Sequence, residues 1–392
     1  MLIRDVSYEQ AVRAWAEHLH TGGTTDWSAW RETSTEAAGG HPAGTDERRP
    51  LPDAVHLELV RRINLATPEG VDVRGLADRV FATAAPGRGL IDVPLLWPAT
   101  PHRFGTPPMD PGQLPEEELI RLAVGVLAHL LPDVPRSTPE APPPPWTLPW
   151  RRRFRLHGSP GTVAGVRKSL LSQGLIETDW RPTHVVLVRP VPVMMAEHWA
   201  ASVRNGGILK WSAVWRRAEA AGRLPPSIDM AEIAERLARR STRPVHVVAA
   251  GSAKDAAALT AEALRARPAE LQENGDAAVS DLLRRLNRLT ALAHDPGRVR
   301  ELARTLAATL DEPSTPAHSA TSLAPPPPAM GWTQEKAAST AERIRRAGYA
   351  VHGELDALTP TDHRLPGTVD RGRTLELAVT ACLRSWHLRG SS

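Results

Sequence analysis

Residues 153–174 read Arg153-Phe-Arg-Leu-His157-Gly-Ser-Pro-Gly-Thr162-Val-Ala-Gly-Val166-Arg-Lys-Ser-Leu170-Leu-Ser-Gln-Gly174. Phe154 to His157 predicts a short strand. Val163, Val166 and Leu170 recur at helical spacing and predict a helix that ends near Gly174. Between them, Gly158 to Thr162 is a glycine-rich strand-to-helix turn. Two further apolar runs, His184 to Val188 and Val245 to Ala249, repeat the pattern. The first leads into a helix bearing Met195, Trp199 and Val203, the second into one after Ala256. Short apolar strands that alternate with amphipathic helices predict an α/β fold, a three-layer parallel sheet covered on both faces.

Upstream the periodicity is mainly helical. Val12, Trp15, Ala16 and Leu19 share one face, as do Val55, Leu59, Val60 and Ile63, then Leu76, Val80 and Phe81. Glu116-Glu117-Glu118 after Pro115 opens another helix, to about Leu131, with acids where the helix dipole favours them. Leu90 to Val93 reads as one short strand, and the polar stretch Thr33 to Pro50 as a loop. Proline tracts at about 132–150 and 312–330 offer little to bury against the cost of ordering them. They divide the chain into a mainly helical N-terminal domain, 1–131, and an α/β domain, 151–392, with the second tract a disordered insert. The terminal helix on Leu375, Val379, Cys382, Leu383 and Trp386 is assigned to the α/β domain.

The 392 residues suffice for two cores, and no apolar run approaches the roughly 18 residues of a membrane helix. With a single cysteine, Cys382, and no secretory leader pattern at the N-terminus, the expected compartment is the cytoplasm and no intrachain disulfide is available. The scattered histidines and lone cysteine give no metal-ligand spacing. Forty-eight basic residues face 44 acidic ones, so the net charge of +4 does not by itself indicate a nucleic-acid partner. Arg151-Arg152-Arg153 is the densest basic run, readable as a solvated domain edge or as a phosphate contact.

A turn that aims free N–H groups and a helix dipole at one point suits a phosphate or sulfate, although Ser159 to Thr162 equally serves a plain βα turn. His157, at the end of its strand, reads either as a general base or as a hydrogen-bonded strand-end histidine. Trp199, Trp211 and Trp215, with Met194 and Met195, sit at helical spacing and are expected in the core. His246, inside an apolar strand, is expected buried.

The order of these pieces resembles a shortened sulfotransferase-family protein of the actinobacterial type, over roughly residues 150–392. The carrying residues are His157-Gly158-Ser159-Pro160-Gly161-Thr162, then Val188-Arg189 with Trp199, Trp211 with Trp215, and Leu224-Pro225-Pro226. Val245-His246-Val247-Val248, the run Leu282 to Asn287, and Gly348-Tyr349 through Leu355-Asp356 to Pro360 follow. The resemblance implies a P-loop-like fold and binding of 3'-phosphoadenosine 5'-phosphosulfate. Gly158, Ser159, Gly161 and Thr162 would hold its 5' phosphate, Arg189 would lie near its 3' phosphate, and His157 is the candidate catalytic residue.

The sequence departs from that pattern where chemistry matters most. No lysine lies between His157 and Val163, so nothing in the loop supplies positive charge to the leaving phosphate. Glu197, eight residues after Arg189, would repel a 3' phosphate, and Arg189 is followed by Pro190. The expected function is therefore a nucleotide- or anion-binding protein with weak or no sulfuryl transfer. The alternative is a non-catalytic protein-interaction or regulatory module on the same scaffold. A DNA-binding regulator ranks last: the helix pair Ala54 to Asn64 and Val73 to Thr83 lacks a recognition helix where Pro86-Gly87 breaks the pattern.

Overall fold

The computed structural model describes residues 8–36, 52–86, 89, 93–96, 107–134, 152–268, 271, 276–310, 323–359 and 367–390. In chain order these form α1 (Tyr8–His20), α2 (Trp27–Glu36), α3 (Ala54–Ala66), α4 (Arg74–Ala82), α5 (Glu116–Leu130), β1 (Arg153–His157), α6 (Pro160–Ser172) and β2 (Ile176–Glu177). Then come β3 (Thr183–Val188), α7 (Val191–Arg204), α8 (Trp211–Ala220), α9 (Met230–Arg240), β4 (Val245–Ala249) and α10 (Ala253–Ala263). The last are α11 (Ala277–Thr290), α12 (Pro296–Leu310), α13 (Met330–Ala347), β5 (Ala350–Gly353) and α14 (Arg371–Gly390).

The chain forms two compact units. One comprises Met1–Arg136, Arg285–Pro313 and Asp370–Ser392; the other comprises Ser137–Arg284 and Ser314–Val369. The second is the α/β unit. Among the described residues its five strands form one all-parallel sheet in the order β2-β1-β3-β4-β5, and the three apolar runs predicted as strands lie side by side as β1, β3 and β4. This is the order described for flavodoxin-like doubly wound sheets, in which the winding direction reverses between β1 and β3. That switch point opens a crevice at the carboxyl ends of the strands.

Register assigns the faces. Phe154, Leu156, Val185, Leu187 and Val248 point to one side, where they pack with Val163, Val166 and Leu170 of α6 and Ala256 and Ala257 of α10. The alternate residues face the side on which α9 lies against β3 and β4, with α13 on α9. Beside this layer Trp199, Trp211, Trp215 and Trp332 form a chain of tilted and edge-on contacts, 5.6, 5.5 and 6.1 Å between successive centroids. The first three are buried, as their spacing predicted.

The helical unit is discontinuous in sequence. α14, assigned to the α/β domain from its position, instead packs on α5, α3 and α12. Its apolar stripe announced that it is buried but not against which partner. Cys382 is fully buried there, within 3.8 Å of the Ala123 carbonyl, and burial pushes its thiol up to about 12.

Three local expectations also change. Thr33 to Glu36 belong to the end of α2; residues 37–50, the rest of that predicted loop, lie outside the described residues. Of the predicted strand Leu90 to Val93, only Val93 is described. It is not in a strand, and Leu95 instead bridges Met109. Both proline tracts fall mainly in 135–151 and 311–322, outside the described residues, but their edges are built into the structure. Leu131–Asp133 and Pro327–Ala329 are single 3₁₀ turns, Leu131, Leu323 and Ala329 are buried, and the Trp211 indole N–H donates to the Ala324 carbonyl at 3.1 Å. Apolar residues at the tract margins found partners that its composition conceals.

Candidate functional site

The β1–α6 turn and the β3–α7 connection flank the switch point, which brings together residues far apart in sequence. Pro160 opens α6, where its missing N–H costs nothing. The first amide beyond Gly161, that of Thr162, donates to Glu197 Oε2 at 2.7 Å, and the Thr162 hydroxyl donates to Glu197 Oε1 at 2.7 Å. Arg189 completes the group. Its Nη1 lies 3.2 Å from Thr162 Oγ1 and 3.5 Å from Glu197 Oε1, and its Nη2 donates to the Gly251 carbonyl at 3.2 Å. Arg189 is 2% exposed and the Glu197 side chain 9%. The helix N-terminus does accept an anion, and the anion is a side chain of α7.

The two turn glycines serve this packing. A Cβ on Gly161 would stand 2.9 Å from Glu197 Oε2; one on Gly158 would stand 3.0 Å from Leu187 Cβ and 3.2 Å from the Leu187 carbonyl oxygen. Their missing side chains make room for Glu197 and for β3. Ser159 is buried at the start of α6 without capping it through its side chain. Lys168 is exposed on α6, well past the first turn.

His157 shares the α9-facing side of the sheet with His184, the rings' Nε2 and Nδ1 being 3.2 Å apart. Burial, reinforced by His184 and by the guanidinium groups of Arg155 and Arg236, pulls the His157 imidazole down to about 4. Among the described residues this imidazole hydrogen-bonds to another imidazole and to no carboxylate, and in its neutral form it is a weak proton acceptor near neutral pH. Its titration sets a stability prediction. The folded value lies below the ordinary 6.5, so between these values the unfolded chain binds more protons than the folded one. The unfolding free energy of the α/β unit should therefore fall as pH drops from about 6.5 to about 4, and this contribution should be intact above 6.5. Denaturant midpoints across that window should show a shallower slope for His157→Phe; an unchanged slope would remove His157 from the account.

A cleft of about 410 Å³ lies beside the turn, lined among others by His157, Gly158, Pro160, Arg167, Ser227 and Arg236. Arg167 is paired with Glu177 at 2.7 Å. Ser227 Oγ is 2.9 Å from His198 Nδ1, a pair 29 residues apart that no local motif signals. Among the described residues no acid is placed to orient His198, and three His, Cys, Asp or Glu side chains nowhere converge as metal ligands. No helix among the described residues is long and apolar enough to cross a membrane.

Comparison of the chain with protein-family models, curated proteins and solved structures found no match.

Proposed function

We propose that this chain is a non-catalytic α/β binding module, in which the β1–α6 turn corresponds to the phosphate-binding loop of a sulfotransferase-like protein but is filled from within. One observation carries the reading: Glu197 occupies the amide and hydroxyl of Thr162 and is neutralised by Arg189. Sulfuryl transfer requires a seat for the donor's phosphate and a cation at the oxygen that leaves. Loss of one preorganised charge partner of this kind costs about 3–4 kcal/mol, two to three orders of magnitude in rate. Here both the seat and Arg189 are engaged by the same carboxylate, and Lys168 is exposed on the helix. The adjoining cleft, with Arg236 and a neutral His157, is the place for a small anionic ligand held without covalent chemistry.

The test is a transfer assay with 3'-phosphoadenosine 5'-[³⁵S]phosphosulfate and a panel of phenol, amine and sugar acceptors. The wild-type chain should transfer no label above the uncatalysed background. Turnover by the wild type above that background would overturn the proposal.

A further inference from the structure

The opposite ends of the strands carry a second concentration of charge. Because the sheet is all parallel, the starts of β1, β3 and β4 lie along one edge. Arg152 and Arg153, Arg181, and Arg243 sit at or just before those starts, and Arg265 follows α10. Together with Trp180 and Thr183 they line a cleft of about 360 Å³. Among the described residues none of the five arginines is in a salt bridge: the neighbouring acids Glu177 and Asp179 are taken by Arg155 and Arg167. Elsewhere in this unit arginines meet acids, as Arg343 does with both Asp229 and Glu235.

The aromatic residue in this cleft is just as unusual. Trp180 is 61% exposed, whereas the tryptophans of α7 and α8 are buried. The Arg153 guanidinium lies 3.9 Å from the Trp180 ring centroid and that of Arg181 5.8 Å, so the indole is backed by cations while most of its surface meets solvent. The backbone is also constrained here. Arg181 and Arg265, with φ of 48° and 50°, are the only non-glycine residues with positive φ among those described, and both belong to this cleft. Such conformations persist where surrounding structure fixes them, and they concentrate at binding sites. The bonds that fix the turn at Arg265 are present. Arg152 Nη1 donates to the carbonyls of Leu264 and Arg265, and the Gln173 side chain exchanges hydrogen bonds with the Arg267 carbonyl and amide at 2.9 and 2.8 Å.

Uncompensated guanidinium forks match phosphate oxygens, and an exposed cation-backed indole offers a stacking surface for a flat ring. The cleft volume is that of a small-molecule site. We propose that this cleft binds a nucleoside phosphate, with its base stacked on Trp180 and its phosphate held by Arg181, Arg243 and Arg265. The ligand is either a free nucleotide or one unit of a single strand, since the recognising chemistry is shared. The site stands apart from the β1–α6 turn and does not depend on the function assigned there.

The experiment measures anisotropy of a fluorescein-labelled oligothymidylate and, in parallel, calorimetry with adenosine monophosphate, using the full chain at low and raised salt. The wild type should bind at least one saturably, more weakly as salt rises. Preference for the oligomer identifies a strand as the source; preference for the monophosphate identifies a free nucleotide. Trp180→Ala should weaken binding about tenfold, from the loss of one stacked base, and Trp180→Phe should restore most of it. The double variant Arg181→Glu/Arg243→Glu, at exposed positions where folding is checked by its unfolding midpoint, should abolish it. Absence of saturable binding to either probe overturns the proposal. So does binding that survives the charge reversal, or binding indifferent to Trp180→Ala, which marks a general polyanion patch.

Discussion

Glu197→Ala is expected to lower the unfolding free energy of the α/β unit by about 3–5 kcal/mol, the cost of leaving one member of a buried ion pair without the other. The substitution strips Arg189, 2% exposed, of its carboxylate and leaves the Thr162 amide at the start of α6 without an acceptor. Glu197→Gln keeps an acceptor of the same shape and should lose less, which separates the charge from the hydrogen bonds. The vacated position retains the Thr162 amide, the Arg189 guanidinium and the room provided by Gly161. Added acetate should therefore raise the denaturation midpoint of Glu197→Ala while leaving the wild type unmoved. Urea unfolding followed by circular dichroism decides the point. A loss within about 0.5 kcal/mol, the range of ordinary surface substitutions, would show that the carboxylate is not seated as described.

Removal of α14 has the second large effect, and it falls on the other unit. Leu375, Leu377, Val379, Cys382 and Leu383 are all buried against helices of the N-terminal portion of the chain and α12. At about 1.5–3 kcal/mol for each large apolar side chain, their loss is on the order of 10 kcal/mol, comparable to the whole stability of a domain. A chain ending before Arg371 should lose the cooperative unfolding of the helical unit and keep the α/β transition. Within the intact protein Ala378→Asp, at a fully buried position, should act in the same direction. Cys382 gives an internal reporter, since its buried thiol, raised to about 12, should react with an alkylating reagent only when that unit opens. A truncated chain with both transitions intact would restore the terminal helix to the α/β domain.

The sheet was legible because its strands are short apolar runs followed by helical periodicity. β1, β3 and β4 needed no other signal, and the Tyr349 to Asp356 motif contains β5. β2 was not legible: Ile176–Glu177 is two residues long, too short for any alternation. The residues of the anion turn were also readable from glycine placement, but their occupant was not. Glu197 stood out as an acid at a position unsuited to a bound phosphate. That its carboxylate reaches the start of α6 depends on α7 packing against α6, a tertiary fact with no local pattern. The same reason hid Ser227 beside His198 and misassigned α14, whose apolar face specifies burial and leaves the partner open. The arginines of the second cleft were seen only in part, because parallel strand starts spread them from Arg152 to Arg265 along the chain.

The most direct test of the sealed turn is the Thr162 amide resonance in protein labelled with ¹⁵N-threonine, which reads this site alone even if a nucleotide binds elsewhere. An N–H donating to a carboxylate at 2.7 Å should resonate far downfield, move upfield in Glu197→Gln, and stay fixed in the wild type as adenosine 3',5'-bisphosphate is added. A wild-type Thr162 amide that shifts saturably with the nucleotide and ignores Glu197→Gln would contradict the account.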